Sequence, residues 1–267
     1  MLGGATLLLA LNWNRLSEFD TVRILVGYAL ALVASGVLVA GGPLRVLGLR
    51  RAQSPIRRRL VGVLLALSAG PASMAAGVAA DSNQALVAGL VGFGVAALGY
   101  GLLPTVPGLL MTVGMSTYAV AGMIVMVGGR GMLVDMYAYV GLGLAWGAAA
   151  MLGAARPRHV GLALAATIAI IGAQLGLDRE PVAYGLTFAI AIVCFLLYWI
   201  ERATVLLVFG VIAATIAVPE AVNHLTDDRL GGPAILLLTG AVLVGMSALG
   251  LWIRSARNGQ SLPAGAV

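Results

Sequence analysis

The sequence contains no lysine at all, one cysteine and two histidines. Only 10% of its residues are charged and 6% aromatic. Each shortage excludes something. Cys194 alone cannot form an intrachain disulfide, and within an apolar run a cysteine packs as a small hydrophobe. His159 and His224 fall on opposite sides of the expected topology and cannot both ligate one haem. Charge at 10%, against roughly 25% in an average soluble domain, is too sparse to cover the surface of a water-soluble fold of 267 residues. A bilayer removes that requirement, because lipid tails solvate apolar side chains directly.

What is present is hydrophobicity: 61% of residues are apolar and the mean hydropathy is +1.02. All 16 basic residues are arginine. With the alanine and glycine excess, this points to a GC-rich genome of actinobacterial type. The net charge of +6 is not a nucleic-acid signature, because the arginines follow membrane topology.

A spanning helix needs about 20 mostly apolar residues. Nine runs approach this: Val22–Gly41, Leu60–Ala80, Gln84–Leu103, Pro107–Val127, Met132–Gly153, His159–Leu177, Pro181–Ile200, Ala203–Val218 and Pro233–Ile253. They predict an all-α polytopic bundle of about nine membrane-spanning helices over residues 22–253. Residues 1–21 precede it as an apolar segment with a polar linker, and 254–267 follow as a tail. Strands are excluded by the length of the runs and the lack of period-two alternation. Pro107, Pro181 and Pro233 sit at first turns, where a missing N–H costs nothing. Asp81-Ser82-Asn83 and Gly128-Gly129-Arg130-Gly131 read as short connections.

Arginine placement sets the expected orientation. The loop after the first run holds Arg45, Arg50, Arg51, Arg57, Arg58 and Arg59. With that loop cytoplasmic, alternation puts Arg156, Arg158, Arg202, Arg254 and Arg257 on the same side. Asp81, Asp135, Asp178, Glu180, Glu220, Asp227 and Asp228 then lie on the other, with Arg15, Arg23, Arg130, Arg179 and Arg229. The N-terminus is expected outside and the C-terminus inside a plasma membrane. The six loop arginines are topology determinants. They are also candidate contacts for anionic lipid headgroups, each gaining about 1 kcal/mol near such a surface.

Met1–Leu11 is apolar but spans only about 16 Å as a helix. It has neither the basic start nor the small-residue cleavage site of a signal peptide. Ala10-Leu11-Asn12-Trp13-Asn14-Arg15-Leu16-Ser17, followed by an apolar helix, resembles a family of bacterial polytopic membrane proteins of unknown function. Ala217-Val218-Pro219-Glu220-Ala221-Val222 through Gly231-Gly232-Pro233 looks like actinobacterial members of the same group. The resemblance covers residues 8–41 most specifically. It implies a multi-helix bacterial plasma-membrane protein and no defined activity. It also implies that Met1–Leu11 is the end of a helix whose first half is missing, with Trp13 at the outer interface.

Intramembrane polar residues are the default functional flags. Asp135, three residues into its run, with Arg130 just before it, reads either as a gate or proton site near one face or as an interfacial pair reaching water. The lower cost of charge near the interface favours the second. Gln174, about two-thirds through its run, can line a polar cavity or bond a neighbouring helix for about 0.6 kcal/mol. Gly70-Pro71 interrupts the second run. It reads as a broken helix of the transporter kind or as a proline tolerated for shape. Glu220, His224, Asp227 and Asp228 have a spacing that could hold a divalent cation, but Pro219 and Gly231 frame them as an ordinary loop.

Gly143/Gly147, Gly172/Gly176 and the Gly27/Ala31/Ser35 stripe have small-xxx-small spacing. They are expected to pack helices within the chain, with homo-oligomer contact as the alternative. No nucleophilic triad or phosphate loop can be assembled, so an enzyme is the weaker class and no cofactor or metal is expected. Two readings remain: a transporter or lipid-handling protein, and a non-catalytic accessory or scaffold subunit with a membrane-protein partner.

Overall fold

The computed structural model describes residues 17–42, 55–128, 131–175 and 180–225, with a few helical positions between 237 and 248. Eight α-helices follow one another: α1 (Glu18–Ala40), α2 (Pro55–Val78), α3 (Gln84–Leu102), α4 (Val106–Met126), α5 (Met132–Met151), α6 (Arg158–Gln174), α7 (Glu180–Glu201) and α8 (Thr204–Leu225). Among the described residues there is no strand. Seven of these helices are long and apolar enough to cross a membrane, and α6 is shorter. The chain is therefore an all-α polytopic membrane protein. Seven such helices are fewer than the nine expected. The ninth run, Pro233–Ile253, lies largely outside the described residues, as do residues 1–16 with the Asn12-Trp13 segment.

Helix limits shift where local chemistry outweighs hydropathy. The first helix begins at Glu18 rather than Val22, because Ser17 caps it. The Ser17 hydroxyl oxygen accepts from the Asp20 N–H at 3.2 Å, and the hydroxyl donates to the Asp20 carboxylate at 2.6 Å. The helix ends where Gly41 turns left-handed (φ 85°) and the N–H groups of Gly41 and Gly42 close on Leu38 and Val37. The second helix begins at Pro55, not Leu60, so Arg57, Arg58 and Arg59 form its first turn rather than a loop. Proline's fixed φ is suited to that position.

Pro71 lies within α2 as a proline tolerated for shape, and Pro219, expected to end its run, lies within α8, which continues to Leu225. Each proline removes one backbone hydrogen bond, whereas a loop at that depth would strand several in lipid. The run read as Ala203–Val218 is thereby extended to 22 residues, and Glu220 stands on a helix instead of in a loop.

The helices fall into two compact units, Met1–Ala165 and Ala166–Val267. In the first, α2 packs against α1, α3 and α4, and α5 against α4. The α3–α4 crossing is the closest. A Cβ on Gly89 would stand 2.4 Å from the Ala119 Cα, and one on Gly122 would stand 2.4 Å from the Leu86 backbone nitrogen. Bare backbone lets the helices touch, which in lipid replaces the hydrophobic drive to associate. These are not the small-residue pairs singled out by spacing. Gly27, Ala31 and Ser35 lie on the exposed face of α1, and a Cβ on Gly27 would meet nothing within 4 Å.

Polar ties complete the unit. The Trp146 indole N–H donates to the buried Ser116 hydroxyl at 2.9 Å, joining α5 to α4. The Tyr100 hydroxyl reaches the carbonyl oxygens of Ala154 (3.2 Å) and Arg156 (3.1 Å) and accepts from the Arg156 N–H. In the second unit α7 and α8 pack together, with Phe195 against the bare backbone of Gly210. Cys194 is buried there, as its apolar run implied.

Candidate functional site

Among the described residues two places stand out as candidate sites. The first is an open groove of about 620 Å³ between α2, α3 and α4. Its floor is made by glycines. Gly70, Gly77 and Gly114 stand where side chains would otherwise fill the space, and a Cβ on Gly114 would meet nothing within 4 Å. Its walls carry Met74, Met111 and Met115, long unbranched side chains that adapt to irregular apolar shapes.

Polar groups enter mainly toward one end. Gln84, the first residue of α3, lies next to the Asp81-Ser82-Asn83 turn, and Tyr118 is 45% exposed. From Gly70 to Val78 the α2 wall rises about 12 Å at helical pitch. The groove is thus mainly apolar in depth, with the Ser73 hydroxyl on its α2 wall, and polar at the turn that joins α2 to α3. Pro71 is next to the floor glycine Gly70, so the singled-out Gly70-Pro71 pair borders this groove, though within an unbroken helix. A second groove, of about 400 Å³ between α1, α2 and α3, is lined by valine, alanine and leucine. Its one hydroxyl, Ser68, is spent on the Leu65 carbonyl.

The second place is a polar trio in the Ala166–Val267 unit. Gln174 is the last residue of α6, not two-thirds through its helix. Its amide nitrogen donates to the Thr187 hydroxyl oxygen on α7 at 2.9 Å, and lies 3.4 Å from a carboxylate oxygen of Glu220 on α8. Thr187 is fully buried, and its own proton goes to the Ala183 carbonyl at 2.8 Å. Gln174 is visible in the sequence as an intramembrane amide. Its partners are not visible there, because Pro219 makes Glu220 read as a loop residue and Thr187 carries no signal. A threonine within a helix usually bonds its own backbone.

The other singled-out residues are dispersed. Asp135 occupies the first turn of α5, where a carboxylate suits the positive end of the helix dipole. One of its oxygens, Oδ1, is buried without a hydrogen bond. Arg130 lies outside the described residues, as do Arg45, Arg50 and Arg51. Arg57 and Arg59 are exposed, whereas the half-buried Arg58 donates to the Pro104 carbonyl at 3.0 Å and pins the α3–α4 turn. One turn on, Gly62 leaves room for Thr105, whose hydroxyl caps α4. Of the Glu220, His224, Asp227 and Asp228 set, Glu220 is committed to the trio, and the His224 side chain, Asp227 and Asp228 lie outside the described residues. Among the described residues no three His, Cys, Asp or Glu side chains converge as metal ligands.

The chain matches no protein-family model, no curated protein and no solved structure.

Proposed function

We propose that this integral membrane protein is a transporter or lipid-handling protein whose cargo is an amphiphile. The observation that carries this reading is the glycine-floored, methionine-walled groove with Gln84 at its polar end. Its volume of about 620 Å³ falls within the range of small-molecule sites. Its polarity profile matches a molecule with one apolar arm and a polar head, and gives little for a polar solute to bond. At the opposite end of α2 from the polar end of the groove, the exposed Arg57 and Arg59 add a separate place for anionic bilayer headgroups. Arginine bias supports a plasma-membrane setting with that end cytoplasmic and the N-terminus outside, and the alanine-, glycine- and arginine-rich composition supports a bacterial source.

Native mass spectrometry of protein extracted gently from its own membrane tests the reading. The wild type is expected to retain a lipid or amphiphile of defined mass. Gly114→Leu adds bulk to the groove where a Cβ meets no neighbour, and is expected to lower that occupancy about tenfold. Gly94→Leu, at a position equally free of neighbours and outside the groove, leaves it unchanged. A wild type that carries no amphiphile, or a Gly114→Leu protein that carries as much, defeats the proposal.

The accessory-subunit reading draws on the exposed Gly27, Ala31 and Ser35 stripe of α1, a surface on which another membrane helix can pack closely. Recovery of a stoichiometric second polypeptide, lost on Ala31→Leu, favours that reading.

A further inference from the structure

The trio of Gln174, Thr187 and Glu220 owes nothing to the groove, which lies in the other unit. We infer that these three side chains form a binding site for a hard monovalent cation of the sodium class.

The case starts from hydrogen-bond bookkeeping. Thr187 gives its only proton to the Ala183 carbonyl, so its hydroxyl oxygen faces Gln174 as an acceptor. Glu220 brings a carboxylate, also an acceptor. Between them stands one NH₂ group, 2.9 Å from the hydroxyl oxygen and 3.4 Å from the carboxylate oxygen. The second distance is long for a charge-assisted bond. This amide is the carboxylate's one polar partner among the described residues. An NH₂ set between two oxygens occupies the place where positive charge belongs.

A half-turn of the amide exchanges its nitrogen and oxygen at little cost, since the two ends are nearly the same size. The Gln174 carbonyl oxygen then joins the Thr187 hydroxyl and the Glu220 carboxylate around that point. The ligands become oxygen only, which selects hard cations over transition metals. A single carboxylate balances a single positive charge, and neutralising it removes the cost of holding an ion against apolar helices.

Two backbone features favour the same sign. α6 ends at Gln174, so the residue that carries the amide stands at the negative end of its helix dipole. Pro219 has no N–H, so the Thr215 carbonyl one turn before it loses its helical donor. Helix C-terminal ends and backbone carbonyls without a helical donor are of the kind that transporters turn toward sodium.

The test uses the full chain purified in detergent at constant ionic strength and pH, with choline chloride replaced stepwise by sodium chloride. A saturable rise in unfolding temperature of about 3 °C or more is expected for the wild type. It is expected to vanish in Glu220→Gln and Thr187→Val and to survive in Thr187→Ser, which keeps the oxygen. Binding of radioactive sodium ion to the wild type reads the site without any variant. Equal unfolding temperatures in sodium and choline, with no retained radioactive sodium, overturn the inference. So does a sodium effect that persists in both Glu220→Gln and Thr187→Val, stabilisation by calcium in place of sodium, or stabilisation by acid alone, which would mark a proton site. None of these outcomes bears on amphiphile retention in the groove.

Discussion

A Cβ added at Gly122 would lie 2.4 Å from the backbone nitrogen of Leu86, which no side-chain rearrangement can move away. Gly94, on α3, has open space around it. The same substitution therefore has opposite consequences at the two positions. Gly122→Ala forces α3 and α4 apart and is expected to cost about 1–3 kcal/mol, the range for overpacking. Gly94→Ala is expected to be neutral or to stabilise by about 0.5–1 kcal/mol through helix propensity. Thermal melts of the two variants in the same detergent decide it, and equal destabilisation would sink the assignment of the closest crossing. Residue scale is also where the sequence misled most. Spacing marks Gly27 and Gly147 alike, but a Cβ on Gly27 would meet nothing within 4 Å, whereas one on Gly147 would stand 3.8 Å from Ala165. Spacing says that a face is smooth but not whether another helix lies on it.

The first turn of α2 shows how an element gives one residue type two roles. Arg57, Arg58 and Arg59 are consecutive, so helical geometry points them about 100° apart. Only Arg58 turns toward the α3–α4 connection, where it holds the Pro104 carbonyl. Arg57 and Arg59 face outward. Arg58→Gln is expected to lower stability by about 1 kcal/mol, the scale of one partly exposed hydrogen bond, with little effect on association with anionic vesicles. The Arg57→Gln, Arg59→Gln pair is expected to leave the melt unchanged and to weaken vesicle association. Melting and vesicle flotation read the two effects separately, and identical behaviour of the variants would refute the division. In the sequence all three read as loop arginines, because nothing local marks Pro55 as the residue that opens a helix. Likewise Pro219 read as a helix end, and with it Glu220 was removed from the membrane and from Gln174.

At the scale of the whole molecule the orientation is the open physical question. In the proposed orientation, which rests on arginine bias, the α2 start is cytoplasmic and the α2–α3 turn is outside. The single native cysteine is buried, so introduced thiols report cleanly. In intact cells a membrane-impermeant thiol reagent is expected to label Ser82→Cys and to spare Arg57→Cys until the cells are opened. Labelling of Arg57→Cys in intact cells would invert the topology. It would also invert the side from which an amphiphile enters the groove, whose polar end is at that turn.

Composition and run length by themselves determined the class of this protein. A chain with so little charge and so many apolar runs has no soluble solution, and lipid leaves helices as the answer for runs of that length. The same arithmetic located every described helix to within a few residues, except where a cap or a helix-opening proline moved a start, or a proline was absorbed. Only the tertiary structure decided which small residues meet, which arginine is tied down, and that Gln174, Thr187 and Glu220 share one place. Those are relations between segments far apart in the chain. Hydropathy and local periodicity carry no term for them, because lipid solvates one apolar helix face much like another, and only packing selects which faces meet.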